Sequence, residues 1–462
     1  MKNQHRRDFL KIAGLAGLGY TSKASTLFQL NNIGALARLH HEEAEDYKAL
    51  VCIYFEGGMD SFNVLVPRDG RYSQYASSRS NLALPKNDLV PINAVNVGTS
   101  QFGLHPSLKN IASYFNQGKA CFISNVGTLL EPITKQEYEN NKGRVPLGLF
   151  SHSDQSNQWQ TAISDNRTNK GWAGRMADLM YTVNSNDLIS MNVSLAGSNV
   201  YQSGINVIEF TLDNGGASGL YDYDADWGIN PAKKDAIQKM IKTKYSDPFK
   251  QTYVNSFKRA IDANQIFNSA ISESQAINTA FEDNDLANSL KMIARTISVR
   301  KKLGFKRQIF YVSFGGWDHH DELLDKQKAM LLTVDNAIDS FQKSLTELNI
   351  ADNILTFSMS EFGRTLSSNG NGTDHAWAGN AMVIGNPVKG QKIYGSFPTL
   401  ALKSNIDLGN GVLIPDLAND LYFSELALWF GLRSSDLYDV FPNLGNFYVK
   451  GSTKAPIGFL TV

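Results

Sequence analysis

Cysteine is almost missing from this chain: 462 residues carry only Cys52 and Cys121. Both sit in apolar runs, LVCIYF and ACFIS, and no Cys-x-x-Cys occurs, which leaves out a zinc ribbon or a thioredoxin-like redox site. If the two runs are neighbouring buried strands, free core thiols are expected rather than a disulfide, because buried cysteine packs as a small apolar residue. Charge of one sign is also missing. Lys plus Arg and Asp plus Glu both number 44, and no long basic block stands out. A balanced chain offers no electrostatic case for nucleic acid or for an anionic membrane surface. Beyond the first 24 residues there is no run of 18 apolar residues, so no transmembrane segment is expected in the mature chain. There is no internal repeat and no low-complexity tract. Histidine is scarce, with eight in all, and this makes its placement informative.

The chain begins MKNQHRRDFLKIAGLAGLGYTSKAS. A basic start, a short apolar middle and the small-x-small Ser22-Lys23-Ala24 predict a cleaved export signal over residues 1–24. Arg6-Arg7 with a weak apolar segment points to the twin-arginine route, which exports folded proteins. The expected destination is the periplasm or the exterior. Export after folding suits a protein that must first acquire a metal or a partner in the cytoplasm. A polar linker, 25–46, precedes a single domain over 47–462.

Ala49–Phe55 reads as a buried strand that breaks at Gly57-Gly58. Leu108, Ile111 and Phe115 lie on one face of a helix that stops at Gly118, and Ala120–Ser124 is the next strand. Residues from about 128 to 230 are rich in Asn, Ser, Asp and Gly and read as loops and edge strands. Asn230-Pro231 and Asp247-Pro248 both read as an N-cap followed by proline in the first turn. Leu286, Leu290, Ile293 and Ile297 mark another helix. Ile309–Phe314 and Ile354–Met359 are strands, with a helix over Met330–Leu348 between them. A short strand over Ala381–Ile384 and a helix over Leu417–Phe430 follow. The alternation predicts an α/β fold: a mostly parallel central sheet flanked by helices, with a helical and loop-rich insertion at about 180–303.

In such sheets ligands bind beyond the carboxyl ends of the strands. The first strand leads to Asp60, Ser61 and Asn63. The strand at Ile309 leads to GGWDHHDE, with Asp318, His319, His320 and Asp321. The strand at Ile354 leads to Glu361 and Arg364 in SEFGRT, then to Asp374 and His375 in a glycine-rich loop. His152, in SHSDQSNQWQ, is a further candidate from a loop; it and His105 equally suit packing or capping. Carboxylates with imidazoles form the ligand set of zinc, manganese or iron. In an extended segment Asp318 and His320 would face one centre while His319 and Asp321 face away. Each residue also has a structural reading. Asp60 can cap the turn, Ser61 can be a loop hydroxyl, Glu361 and Arg364 can form a loop-tying salt bridge, and acids beside histidines can orient them.

RRDFLK, FEGGMDSFNVLVP, LHPSLKNIASYFNQGKACFISNVG, SHSDQSNQWQ, KGWAGR, GGWDHH, SEFGRT, GTDHAWAG and LALWFG together resemble the bacterial "domain of unknown function 1501" family of exported proteins. That family is grouped with the alkaline phosphatase and sulfatase-like superfamily, so the resemblance implies a large α/β sandwich. It also implies an acid after the first strand (Glu56 or Asp60), a nearby nucleophile (Ser61), and later ligands at Asp318, His320 and His375. Phe362 stands where a ligand histidine is expected after Glu361, and no cysteine occupies a sulfatase nucleophile position.

Three functions remain open. The first is a metal-assisted hydrolase or transferase of a phosphate ester, with sulfate the lesser option. There Asp60, Asp318, His320, Glu361, Asp374 and His375 would hold a divalent metal, zinc, manganese or another. Ser61 or water would attack, and Arg364 would meet the anionic substrate. The second is a non-catalytic binder of a cell-envelope component. The third is a metal-free serine esterase with His375 or His320 as base. Small anionic esters or envelope components are the expected partners, and nucleic acid is not.

Overall fold

The protein is described by a computed structural model covering residues 47–220, 222, 223 and 225–461. The export signal expected over 1–24 and the linker over 25–46 lie outside the described residues. Among the described residues twelve strands occur in chain order: β1 (Lys48–Tyr54), β2 (Leu65–Pro67), β3 (Val90–Ile92), β4 (Phe102–Leu104), β5 (Ala120–Gly127), β6 (Asn192–Ser194), β7 (Phe210–Thr211), β8 (Arg307–Ser313), β9 (Ile354–Met359), β10 (Gly379–Ile384), β11 (Lys392–Tyr394) and β12 (Leu417–Ala418).

Nine of them form one sheet in the order β11–β5–β10–β9–β1–β8–β6–β7, with β12 also paired to β5. Every strand in it runs the same way except β10. This is the mostly parallel α/β sheet expected from the alternation. β1 lies at its centre, and its continuous apolar run follows from cover on both faces. β2, β4 and β3 make a small antiparallel sheet that periodicity did not reveal.

The helix between β8 and β9 spans Leu323–Glu347, starting seven residues before the expected Met330. Its buried stripe includes Leu331, Val334, Ile338, Phe341 and Leu345. Five such side chains contribute roughly 10 kcal/mol as an upper figure for area removed from water. The Asp285–Ser298 helix buries Leu286, Leu290, Ile293 and Ile297, as its spacing predicts. Asp247 accepts a hydrogen bond from the Lys250 amide and caps the Pro248–Ser272 helix. Asn230 differs from expectation: it is the first helical residue, and no side chain caps that end. The helix expected over Leu417–Phe430 is Asn419–Phe430; its expected first residues, Leu417 and Ala418, instead form β12, and a short helix, Leu437–Val440, follows it.

Two corrections matter for function. SHSDQSNQWQ is not a loop: His152–Thr161 is a helix, capped by Ser151, whose hydroxyl accepts from the Asp154 amide. Cys52 and Cys121 are buried and free, but their strands are not neighbours, since β9 and β10 lie between them. Burial pushes both thiols well above the usual range, so neither is a reactive thiolate. Among the described residues no helix is long and apolar enough to cross a membrane.

Candidate metal centre

β1 pairs in parallel with β8 on one side and β9 on the other, with Tyr54 level with Ser313 and Met359. Their three exit loops therefore leave from one rim. β10 runs the other way, so the loop before Gly379 arrives at that rim too. The glycines after β1 are required by crowding. A Cβ on Gly57, whose φ is +120°, would lie 2.5 Å from the Asp318 amide, and one on Gly58 would strike the Phe362 ring.

Three histidines converge on Asp318. His152 Nε2 lies 3.5 Å from Asp318 Oδ2. His320 Nε2 and His375 Nε2 lie 3.1 and 3.4 Å from Oδ1. Each ring is held from behind by its other nitrogen. His152 Nδ1 is 2.9 Å from Glu361 Oε1, His320 Nδ1 is 3.1 Å from Asp374 Oδ1, and His375 Nδ1 is 2.8 Å from the Phe150 carbonyl. Carboxylate and carbonyl oxygens accept, so the three Nδ1 atoms donate. In neutral rings this leaves three Nε2 lone pairs pointing at the same place.

Glu361 is itself fixed. Oε1 also accepts from the Gly57 amide at 2.8 Å, and Oε2 accepts from the Tyr54 hydroxyl at 3.3 Å. Phe362 packs under the cluster, its ring centroid 4.6 Å from that of His375 and 4.8 Å from that of His152. The residue standing where a further ligand was expected is thus the apolar floor of the site.

Arg364 is fully buried and ties the loops together. It donates to the carbonyls of Gly57, Gly58 and Thr373 and to Asp318. Burial alone would raise the Asp318 carboxyl, but the Arg364 guanidinium and the neighbouring histidines outweigh it and hold the carboxyl below its usual value. His375 is lowered, chiefly by burial, with Arg364 and His152 adding to the effect. Both shifts favour the forms that ligate a metal: an ionised carboxylate and a neutral imidazole.

His152, Asp318 and His375 can hold a metal ion, with ligand atoms all within 4.8 Å of one another. Two further observations fit a cation here. His152 Nε2 is buried with no hydrogen-bond partner. His320 Nε2 and His375 Nε2 lie 3.0 Å apart, and with both Nδ1 atoms donating each Nε2 offers a lone pair, an arrangement that suits a shared proton or cation. Formal charges agree: Asp318, Glu361 and Asp374 against Arg364 leave two negative charges for a divalent ion.

The family described as "Protein of unknown function (DUF1501)" matches residues 47–424. The chain belongs to the DUF1501 family. No curated protein matches it in sequence. Among solved structures, the PsFucS1 sulfatase from Pseudoalteromonas sp. is similar at a TM-score of 0.33 and 9% identity, over 87% of this chain and 70% of that one. Ps i-CgsB, solved in complex with k-i-k-neocarrahexaose, has a TM-score of 0.32 and 12% identity over 84% and 73%. Wild-type alkaline phosphatase PafA has a TM-score of 0.26 and 14% identity over 70% and 64%.

In this DUF1501 chain the rim gathers Asp318, His320, Glu361, Arg364, Asp374 and His375, but it places them in different shells. Of these, Asp318, His320 and His375 aim a ligand atom inward, as His152 also does; Glu361 and Asp374 orient histidines. Asp60, expected among the ligands, is buried and forms an ion pair with Arg79, which also donates to the Thr365 carbonyl. Ser61, expected as a nucleophile, is buried; its hydroxyl accepts from the Asn380 amide at 2.8 Å, anchoring the start of β10. It lines a small pocket of about 20 Å³ with Ser360, Phe362 and Asn380, which has room for one water. Arg364, expected to face substrate, has no exposed fork to offer. Glu56 is exposed and accepts from the Ser313 hydroxyl at 3.0 Å. His319 and Asp321 do turn away from the centre. His319 is buried against Trp317, and Asp321 accepts from the Asn371 side chain. His105 closes the turn before the Lys109–Asn116 helix, its Nδ1 accepting from the Ser107 amide at 3.1 Å. His152 carries more of the site than its polar surroundings foretold; the Ser151-x-x-Asp154 spacing was the available signal of a helix start there.

Proposed function

We propose that this protein is a metal-dependent hydrolase or transferase acting on an anionic ester, phosphate before sulfate, in the cell envelope. The observation that carries this reading is the convergence of His152, His320 and His375 Nε2 on Asp318, with every Nδ1 already engaged. A bound divalent cation, zinc being well matched by imidazole nitrogens and a carboxylate, would polarise an ester oxygen and acidify water. The chain's own residues hold the donor set: Glu361, Asp374 and the Phe150 carbonyl fix the rings, and Phe362 closes the floor. Side-chain exposure of 44% at His320 and 59% at Asp374 keeps one side open to solvent and to a polar substrate. Water is the nucleophile in this reading, because Ser61 is buried and engaged with β10.

A second reading, a non-catalytic binder at the same rim, draws on that same burial of Ser61, which removes the nucleophile expected after the first strand. One experiment separates the two. The purified chain is assayed for stoichiometric metal by elemental analysis, then against phosphomonoester, phosphodiester and sulfate-ester substrates with His152→Ala and His375→Ala controls. Bound metal with turnover lost in both variants is expected. Bound metal without turnover on any ester leaves the binder, and a folded protein that takes up no zinc, manganese or cobalt removes the metal centre itself.

A further inference from the structure

The balanced net charge of the chain conceals a local surplus. Between Lys239 and Lys250 there are four lysines (Lys239, Lys242, Lys244 and Lys250) and one acid, Asp247. This stretch is the end of the Asn230–Lys242 helix, the connection, and the start of the Pro248–Ser272 helix. All four lysines are exposed. Asp247 is exposed as well and caps the second helix, its carboxylate accepting from the Lys250 amide at 2.9 Å. The tip therefore carries four outward positive charges against one negative charge.

Apolar side chains stand among these lysines. Phe249 is 87% exposed and Tyr253, one helical turn on, is 65% exposed. The Tyr253 ring stacks on Phe257, with centroids 6.2 Å apart and planes at 17°, which stiffens the aromatic face. In the first half of that long helix only Val254 is buried. A scattered apolar residue on a surface needs no explanation. A phenylalanine and a tyrosine one turn apart, in a stretch that carries four exposed lysines at the turn of a helical pair, have the composition of an interfacial anchor: cations for lipid phosphate and rings for the headgroup boundary.

We infer that this helical tip docks the protein on an anionic lipid surface, with Lys239, Lys242, Lys244 and Lys250 against phosphate headgroups and Phe249 and Tyr253 entering the interface. The lysines alone would suit any polyanion. The nearly bare Phe249 favours a bilayer, because a soluble anionic polymer offers no apolar layer to receive it. The surface is independent of the metal centre and stands whether or not the proposed chemistry does.

The test is co-sedimentation of the full chain with vesicles of phosphatidylcholine containing 30% phosphatidylglycerol, and with phosphatidylcholine alone. Residues 1–46 are kept identical in every variant. Binding is expected only to the anionic vesicles and is weakened by 0.5 M salt. Each lysine at such a surface is worth about a fivefold factor in partitioning, so Lys242→Glu/Lys244→Glu is expected to lower it about twentyfold or more. Phe249→Ser is expected to lower it about tenfold with an unchanged thermal melt, since the side chain is exposed. No binding to anionic vesicles, or binding that none of these substitutions changes, overturns the inference. Dextran sulfate binding that falls with the lysine variant but not with Phe249→Ser, together with vesicle binding that ignores Phe249, assigns the tip to a soluble polyanion instead. A self-association abolished by Phe249→Ser, seen by light scattering without lipid, assigns it to a second copy.

Discussion

His320 and His375 bring their Nε2 atoms to 3.0 Å of one another while Asp374 and the Phe150 carbonyl hold the rings from the opposite nitrogen. Two imidazoles tethered in this way cannot satisfy each other by an ordinary hydrogen bond in their neutral forms. The pair needs a proton or a cation, and Asp318 supplies the negative charge that makes either one welcome. The relationship explains why acids outnumber free cations at this rim.

Metal uptake follows directly. His375→Ala removes a donor and is expected to reduce affinity by more than the ~10–100-fold typical of an outer partner. Zinc present at a hundredfold excess over its dissociation constant should stabilise the parent protein by about 2.7 kcal/mol, and the alanine variant by much less. Calorimetric titration and denaturant melts with and without a chelator check both. Equal stabilisation of parent and variant would place the ion elsewhere.

Glu361→Gln isolates orientation from ligation. The amide can still meet the Gly57 amide or His152, but it cannot accept from both with full charge. Affinity for zinc or cobalt is expected to fall ~10–100-fold while the fold is kept. Cobalt absorption spectra would show a changed ligand field at His152. An unaltered spectrum and affinity would reduce Glu361 to a loop tie.

Much of this arrangement is legible in the chain because fully buried parallel strands are written as unbroken apolar runs. β1, β8 and β9 announce themselves, and the polar residues after them mark the rim. What is hidden has physical reasons. The His152–Thr161 helix buries Gln155, Gln158 and Thr161 beside Trp159, so its inner face carries no apolar period. β2, β3 and β4 have three residues each, too few for alternation to show. Asp60 looks like a ligand from its place after a strand; only the fold reveals that the Tyr72–Arg79 helix returns Arg79 to pair with it. Whether Glu361 and Asp374 ligate or orient stayed open in the sequence, since a ligand and a ligand's orienter have the same residue type.

Arg364→Met tests the lock on the rim. The guanidinium is shared among four backbone carbonyls and Asp318, with no exposure. Methionine fills the volume but strands those acceptors, and the expected loss is about 3–5 kcal/mol of unfolding free energy. Lysine should rescue little of it, because one ammonium cannot span the directions of a planar fork. Urea denaturation measures this; a loss below 1 kcal/mol for Arg364→Met would show that the loops are held by their own backbone bonds.

Asp420 gives a pH dependence of defined sign. It is wholly buried in the first turn of the Asn419–Phe430 helix, and burial raises its carboxyl from 3.8 to about 7, with Arg175 opposing only in part. Above pH 7 the folded protein bears a buried carboxylate that the unfolded chain carries at no penalty. As pH falls from 7 toward 3.8 the folded state takes up the proton first, and stability from this group rises. The full span corresponds to about 4 kcal/mol at 1.36 kcal/mol per pH unit. His105 and His319 act in the opposite sense: burial lowers both from 6.5 to about 4, so their contribution is lost as pH falls across that interval. Asp420→Asn separates the two effects, because it cancels the first and leaves the second. The variant is expected to be more stable than the parent at pH 8, with the advantage shrinking steadily below pH 7. Denaturant melts across pH 4–8 provide the measurement, and a difference that does not change with pH would mean that Asp420 is ionised in the fold throughout that range.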